Sequence, residues 1–237
     1  MTMLELNTFS ITARCERTGQ FGVAVSTKVP AVGALCPYVK AGVGAIASQS
    51  FVNLYIGLNG LTYLEEGLTA EAVRERILAE DSEPDIRQFA IVDKTGRTAA
   101  FTGEKCVDWH GHIVGDHFVA AGNMLVGEET IKEMANTFEA THDQMLSERL
   151  LAALEAGQKA GGDKRGKQSA ALKVVATEDY PLVDLRVDEH EDPVKELRRV
   201  YDIAKYELFP FVDTLPTKEN PRGQMDLATQ KELGLLD

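Results

Sequence analysis

Cysteine is scarce in this sequence: Cys15, Cys36 and Cys106 are the only three, far apart and without the paired spacing of a metal site. An odd, sparse set of this kind argues against a disulfide framework and for reduced thiols in a cytoplasmic protein. Basic charge is also in deficit, since 25 Lys and Arg against 37 Asp and Glu leave a net charge of -12. That balance argues against nucleic acid or an anionic membrane as the main partner and suits an enzyme or small-molecule binding protein. No run reaches the ~20 apolar residues needed to span a bilayer. The opening MTMLELN has neither the basic start nor the apolar stretch of a signal peptide, so a soluble cytoplasmic chain is expected. There is no internal repeat and no low-complexity linker.

What is present reads as alternating strands and helices. In Thr8–Arg14, Phe9, Ile11 and Ala13 alternate with polar residues, the period of a strand with one apolar and one polar face. Arg17-Thr18-Gly19 then supplies turn residues before the alternating run Phe21–Ser26, so the chain begins with a hairpin. Further strands are expected at Val43–Ser48, Arg87–Asp93, Thr98–Thr102, Val107–Ile113, Phe118–Ala120, Ala170–Ala176 and Leu182–Val187. Lys94-Thr95-Gly96 marks a second hairpin. Helices are expected near Tyr55–Glu66, after Thr69 as N-cap, over Glu129–Ala140, and over Gln144–Ala156 with Gly157 as its stop. Another follows Asp192-Pro193, a cap with proline at the first helical position. After Phe209 the chain carries Pro210, Pro216 and Pro221 and ends in a short helix near Leu227–Leu235. We therefore expect one domain over residues 1–208 and a Pro-rich arm over 209–237 that packs on its own domain or wraps a neighbouring subunit.

The segment AGGDKRGKQSAALKVV, residues 160–175, concentrates charge between an expected helix and an expected strand. From Gly161 it approaches a phosphate loop, but Gln168 stands where Ser or Thr would hold magnesium. A phosphate loop also follows a strand and opens a helix, and here that order is reversed. A polar loop feeding a strand that lines a cleft fits better. Lys164 and Arg165 could hold a substrate carboxylate there, Arg in a bidentate manner, although a solvated loop charge reads equally well. Asp108, His110, His112, Asp116 and His117 cluster in sequence, but the run is turn-rich and lacks a distant fourth ligand, so surface or structural histidines are favoured over zinc. Asp184 and the run Asp188–Asp192 lack calcium-loop spacing. Cys15 and Cys36 would need a histidine base, and none is visible near either in sequence.

Eight ordered blocks, TFSITAR, FGVAVSTK, AGVGAIASQ, RQFAIVD-TGR-AAFTG, GNML, ERLLAALEAG, GGDKRGKQSAAL and VDLRVDEHEDPV, together resemble an uncharacterised family, domain of unknown function 1028. The resemblance runs from about Thr8 to about Val200. It implies an α+β fold similar to the N-terminal-nucleophile (Ntn) hydrolases, a four-layer α-β-β-α sandwich with largely antiparallel sheets. It also implies an amide-cleaving site that needs no metal or organic cofactor, acting on a small amide or N-acyl compound.

In Ntn hydrolases the first residue of the mature chain is the nucleophile, and its own α-amine is the base. A free α-amine has a pKa of ~7.7–8.0, close to working pH. Thr8, on the polar side of the first strand, takes the nucleophile's place in this resemblance. Residues 1–7 precede it, so the site is masked, awaits cleavage after Asn7, or is not catalytic. The resemblance to proteasome β-subunits further implies Asp163 and Ser169 as residues that orient the amine. It sets Asn123 in a loop facing the cleft, Ser26 or Lys28 where an acid is usual, Lys40 near a polarising lysine, and Gln49 after the third strand. Lys28, Lys40, Gln49, Lys164, Arg165 and Gln168 form the expected substrate-binding set. For each of these a hydrogen-bonded structural role is the competing reading. A homo-oligomer, a dimer first, is expected, and a non-catalytic binding or assembly protein on the same fold is the alternative function.

Overall fold

The computed structural model describes residues 5–6, 8–224, 226–232 and 234. In chain order these form β1 (Glu5–Leu6), β2 (Thr8–Arg14), β3 (Phe21–Thr27), β4 (Pro37–Lys40) and β5 (Gly44–Phe51), then α1 (Leu54–Glu65) and α2 (Ala70–Glu80). Next come β6 (Arg87–Asp93), β7 (Thr98–Thr102), β8 (Gly111–Gly115) and β9 (Phe118–Gly122), followed by α3 (Glu129–Ala140) and α4 (Leu146–Lys159). β10 (Ser169–Val175), β11 (Val183–Val187), α5 (Pro193–Glu207), α6 (Phe209–Val212) and α7 (Leu227–Glu232) complete the chain.

The strands form two sheets with every pairing antiparallel. One runs β1-β5-β6-β7, with β4 sharing the edge of β5 that β1 occupies; the other runs β11-β10-β3-β2-β9-β8. β2 packs across onto β5 and β6, and β9 onto β6 and β7, so the sheets lie face to face. α1 and α2 cover the first sheet, and α3 and α4 cover the second. The result is the expected α+β, four-layer α-β-β-α arrangement. Leu6 pairs with Ser50 in the first sheet while Thr8 pairs with Thr27 in the second, so the chain changes sheets between these two residues.

Local chemistry accounts for many boundaries. The Asn53 side chain accepts from Tyr55 N at the start of α1, and Thr69 accepts from Ala72 N at the start of α2, as its sequence position predicts. The buried Asp93 carboxylate accepts from Ala70 N, Thr95 N, Thr95 Oγ1 and Arg97 N, tying the β6–β7 turn to the start of α2. Its four donors outweigh the burial that alone would raise its pKa, and hold the carboxyl below its ordinary value.

Two expectations need correction. Gly157 does not stop α4, which runs on to Lys159 before Gly161 and Gly162 turn the chain at positive φ. A Cβ on Gly157 would lie 2.7 Å from Met134 Cγ and 3.3 Å from Phe9 Cδ2, so its role is the close approach of α4 to α3 and β2. The strand expected over Val107–Ile113 begins only at Gly111. The polar side of β2 is buried as fully as its apolar side, because the other sheet covers it.

The described chain divides into two compact units, Met1–Arg198 and Arg199–Asp237. Within the second, the Tyr201 and Phe209 rings meet edge to face at 5.6 Å, and Asn220 bonds to Thr217 and Gly223. Leu233 and Leu235, part of the expected final helix, lie outside the described residues. Among the described residues no helix is long and apolar enough to cross a membrane.

Candidate functional site

Thr8 opens β2, an interior strand flanked by β3 and β9. Side chains alternate along a strand. Phe9 reaches the α4 side, where it lies near Gly157 and Gly162. Ser10 faces the other sheet and donates to Gln49 Oε1 at 2.7 Å. Thr8 and Thr12 share the side of Ser10 and are likewise fully buried. The Thr8 hydroxyl donates to Thr27 Oγ1 at 3.3 Å.

Several of the expected site residues gather at this end of the second sheet. Thr27 is the ladder partner of both Thr8 and Ser169. Asn123 N donates to Thr8 O at 3.0 Å, and Gln168 N donates to Thr27 O at 2.9 Å. Asp163, buried to 3% exposure, accepts from Lys28 N at 3.1 Å and pairs with the Arg165 guanidinium at 2.8 Å. Asp163 also bridges to Leu125, and Lys164 N donates to Met124 O, so the loop after α4 is zipped to the GNML segment. Ser169 Oγ donates to Val29 O and accepts from Val32 N, which commits it to the loop after β3. The Lys28 ammonium donates to Lys167 O, and that of Lys164 to Asp108 O.

Lys40 stands apart. It pairs with Gly44 at the far end of β5 from Gln49, five residues or ~17 Å along the strand, and its ammonium bonds to Glu65.

The structure adds a residue that sequence reading passed over. Gln88 on β6 lies fully buried between the sheets. Its Oε1 accepts from Gln49 Nε2 at 2.7 Å and Asn123 Nδ2 at 2.9 Å. Its Nε2 faces Thr102 Oγ1, Gly111 O and Gly122 O at 2.8–3.1 Å. Three acceptors on one side and two donors on the other fix the orientation of the amide. Ser10, Gln49, Gln88 and Asn123 thus form one bonded chain through the interior. It ends on Asn123 Oδ1, which is buried with no hydrogen-bond partner. In sequence, Gln88 stands beside Arg87 at the start of an apolar run, with nothing local to mark it.

Among the described residues no group of three or more His, Cys, Asp or Glu is placed to hold a metal ion. His112 Nδ1 meets Thr102 Oγ1 at 2.8 Å, and His110 Nδ1 meets Asp108 at 3.1 Å. A cavity of about 610 Å3 lies at the opposite end of β2, bounded by Arg14, Cys15 and Arg149. Six residues of strand, ~20 Å, separate it from Thr8.

The two face-to-face antiparallel sheets, each backed by a helix pair, define a class of sandwich protein. Within it, residues 8–197 match the model of the Family of unknown function (DUF1028), and the chain belongs to that family. The crystal structure of a Silicibacter pomeroyi protein of the same family is similar at a TM-score of 0.85 and 31% identity, over 92% of this chain and 99% of that one. Anbu (ancestral beta-subunit) from Yersinia bercovieri matches over 85% of this chain and 96% of its own, at a TM-score of 0.37 and 10% identity. That last likeness is too slight to carry an argument. No curated protein matches the chain.

Proposed function

We propose that the chain is a latent Ntn-type amide hydrolase in which Thr8 becomes the nucleophile once residues 1–7 are removed. The observation that carries this reading is a coincidence of boundaries. The family match begins at Thr8, and Thr8 is also the first residue of an interior strand, with its hydroxyl in the polar gap between the sheets. Removal of the preceding peptide would give Thr8 a free α-amine beside its own hydroxyl. The amine would take the hydroxyl proton as Oγ1 attacks the carbonyl of a small amide, then deliver it to the departing amine. Water would hydrolyse the resulting ester on Thr8. Thr27 Oγ1, which already accepts from the Thr8 hydroxyl, would orient it. Asp163 and Ser169 would hold the loops that wall this end, and backbone N–H groups would steady the oxyanion. Arg165 would serve a substrate carboxylate only by sharing its bond to Asp163.

The second reading is a non-catalytic binding or assembly protein. It is favoured by the pairing of Glu5–Leu6 on β5 and by the engagement of both Asp163 oxygens with Lys28 N and Arg165.

Intact mass after treatment with a β-lactone separates the two. Full-length protein, a form beginning at Thr8, and that form carrying Thr8→Ala would be compared. A single adduct on the trimmed form, absent from the other two, is the expected result. A trimmed form that folds and takes no adduct would favour the second reading.

A further inference from the structure

The cavity beyond the end of β2 has a composition unlike the Thr8 region. Arg14 ends β2, Arg17 lies in the β2–β3 turn, and Arg149 comes from α4; the three line one space with Cys15. Among the described residues none of the three guanidinium groups forms an ion pair with a carboxylate. Arg17 instead donates to the carbonyls of Asp143 and Gln144, which fixes the turn against the loop before α4. Arg149 is only 9% exposed. It lies 3.9 Å over the Phe138 ring and donates to Phe138 O through Nη2, while its Nε is buried with no partner. Arg14 Nε is buried and unpartnered as well.

A guanidinium buried to this degree needs a counter-charge. Two groups act on it, the Cys15 thiol and the Asp143 carboxylate, and Glu16, Asp116 and Glu139 also line the cavity. The thiol also meets the Thr18 hydroxyl and the backbone N–H groups of Arg17 and Thr18. Burial by itself would raise the thiol's pKa. The Thr18 and Arg17 donors and the Arg149 charge outweigh it, so Cys15 titrates below an ordinary thiol. Cys36 is pushed the other way by burial, up to about 12, and burial raises Cys106 too. The cavity also brings His117 and His142 near Cys15, although neither is close to it in sequence.

We propose that this cavity is a second site, in which the Cys15 thiolate, paired with Arg149, reacts with a small hydroperoxide. Phe118 and Phe138 line the cavity and give an alkyl group an apolar wall. The thiolate attacks the nearer peroxide oxygen, an S–O bond forms and the O–O bond breaks. The bonding pair leaves on the farther oxygen, which takes a proton from water and departs as an alcohol, or as water from hydrogen peroxide. Sulfur is oxidised by two electrons to the sulfenic acid and the peroxide is reduced. The Arg149 guanidinium, which lines the cavity with Cys15, is the donor for the charge that develops on the departing oxygen. Two equivalents of a small thiol restore Cys15 with loss of water and formation of a disulfide. Nothing in this site uses Thr8, so it stands apart from the hydrolase reading.

The test is folded full-length protein treated with hydrogen peroxide or tert-butyl hydroperoxide, trapped with dimedone and mapped by peptide mass. The expected result is a dimedone adduct on Cys15 formed at least on the order of tenfold faster than on Cys36 or Cys106, which serve as internal controls. Arg149→Met and, should that variant not fold, Thr18→Val slow the Cys15 reaction and move the midpoint of its pH–rate profile upward. A merely structural role would leave that midpoint unmoved. Equal rates at all three cysteines, or labelling of Cys15 only in denaturant, would overturn the proposal.

Discussion

Replacing Gln88 by Met keeps the length of the side chain and removes its amide. Five contacts are lost at once: from Gln49 and Asn123 to Oε1, and from Nε2 to Thr102, Gly111 and Gly122. The net value of the bonds themselves is modest, but two amide donors are stranded where water does not replace Gln88. Each stranded group costs about 1–3 kcal/mol, so the substitution should destabilise by about 4 kcal/mol. In a unit of this size that lowers Tm by on the order of 10 °C. Urea titration followed by circular dichroism would read the shift in midpoint at constant slope. The double variant Gln49→Met/Gln88→Met should cost less than the sum of the singles, because one stranded donor is then gone. A cost below about 1 kcal/mol for Gln88→Met would mean that the gap between the sheets is hydrated and that the bonded chain does not organise it.

Two further substitutions probe packing and charge. Gly157→Val should cost about 1–3 kcal/mol in thermal melts, since even a Cβ would meet Met134 at 2.7 Å; an unchanged Tm would show the α3–α4–β2 contact to be slack. Asp81 and Arg87 form a nearly buried pair at 2.9 Å. Burial pushes the Asp81 carboxyl up, but Arg87, Glu83 N–H and Asn53 bring it net below its ordinary value. Its contribution is therefore present above the unfolded pKa of about 3.9 and lost as pH falls through the lower folded value. Asp81→Asn should lower stability at neutral pH by about 3 kcal/mol and flatten the decline below pH ~4; parallel acid limbs in the two proteins would refute this.

Much of the secondary structure was legible because its signals are local. Thr8–Arg14 alternates cleanly, Lys94-Thr95-Gly96 marks the turn between Arg87–Asp93 and Thr98–Thr102, and Glu129–Ala140 carries Ile131, Met134 and Phe138 on one buried face. What escaped depends on partners distant in sequence. Gly157 obeys the local rule for a helix stop, yet contact with Met134 and Phe9 keeps it inside α4. β4 is four residues beginning with proline, too short for a period to register. The polar alternation of β2 was visible, but its burial requires Gln49 and Gln88 from the opposite sheet. The same holds for the candidate site. Asp163, Ser169, Lys28, Gln168 and Asn123 do lie near Thr8, because the loops carrying them meet at one end of a sheet. Lys40 does not, since the β4–β5 pairing carries it to the other end of β5.

The two ends of β2 differ in what they leave unmatched, and that difference constrains the ligands each can take. Near Thr8 the carboxylate of Asp163 and the hydroxyl of Ser169 are fully engaged, and the chain through Gln88 ends on an acceptor, Asn123 Oδ1. Near Cys15 the unmatched atoms include two guanidinium donors, Arg14 Nε and Arg149 Nε. Buried polar groups in a folded chain are nearly all satisfied, so the exceptions mark where bonds remain to be made. An acceptor left over at one end suits a group that brings a donor, such as an amine or an amide N–H. Donors left over at the other suit a thiolate or a departing oxygen. One small molecule cannot meet both demands across ~20 Å of strand. Chemistry found at either end therefore leaves the other open, and a ligand screen should be read separately against Thr8 and Cys15 variants.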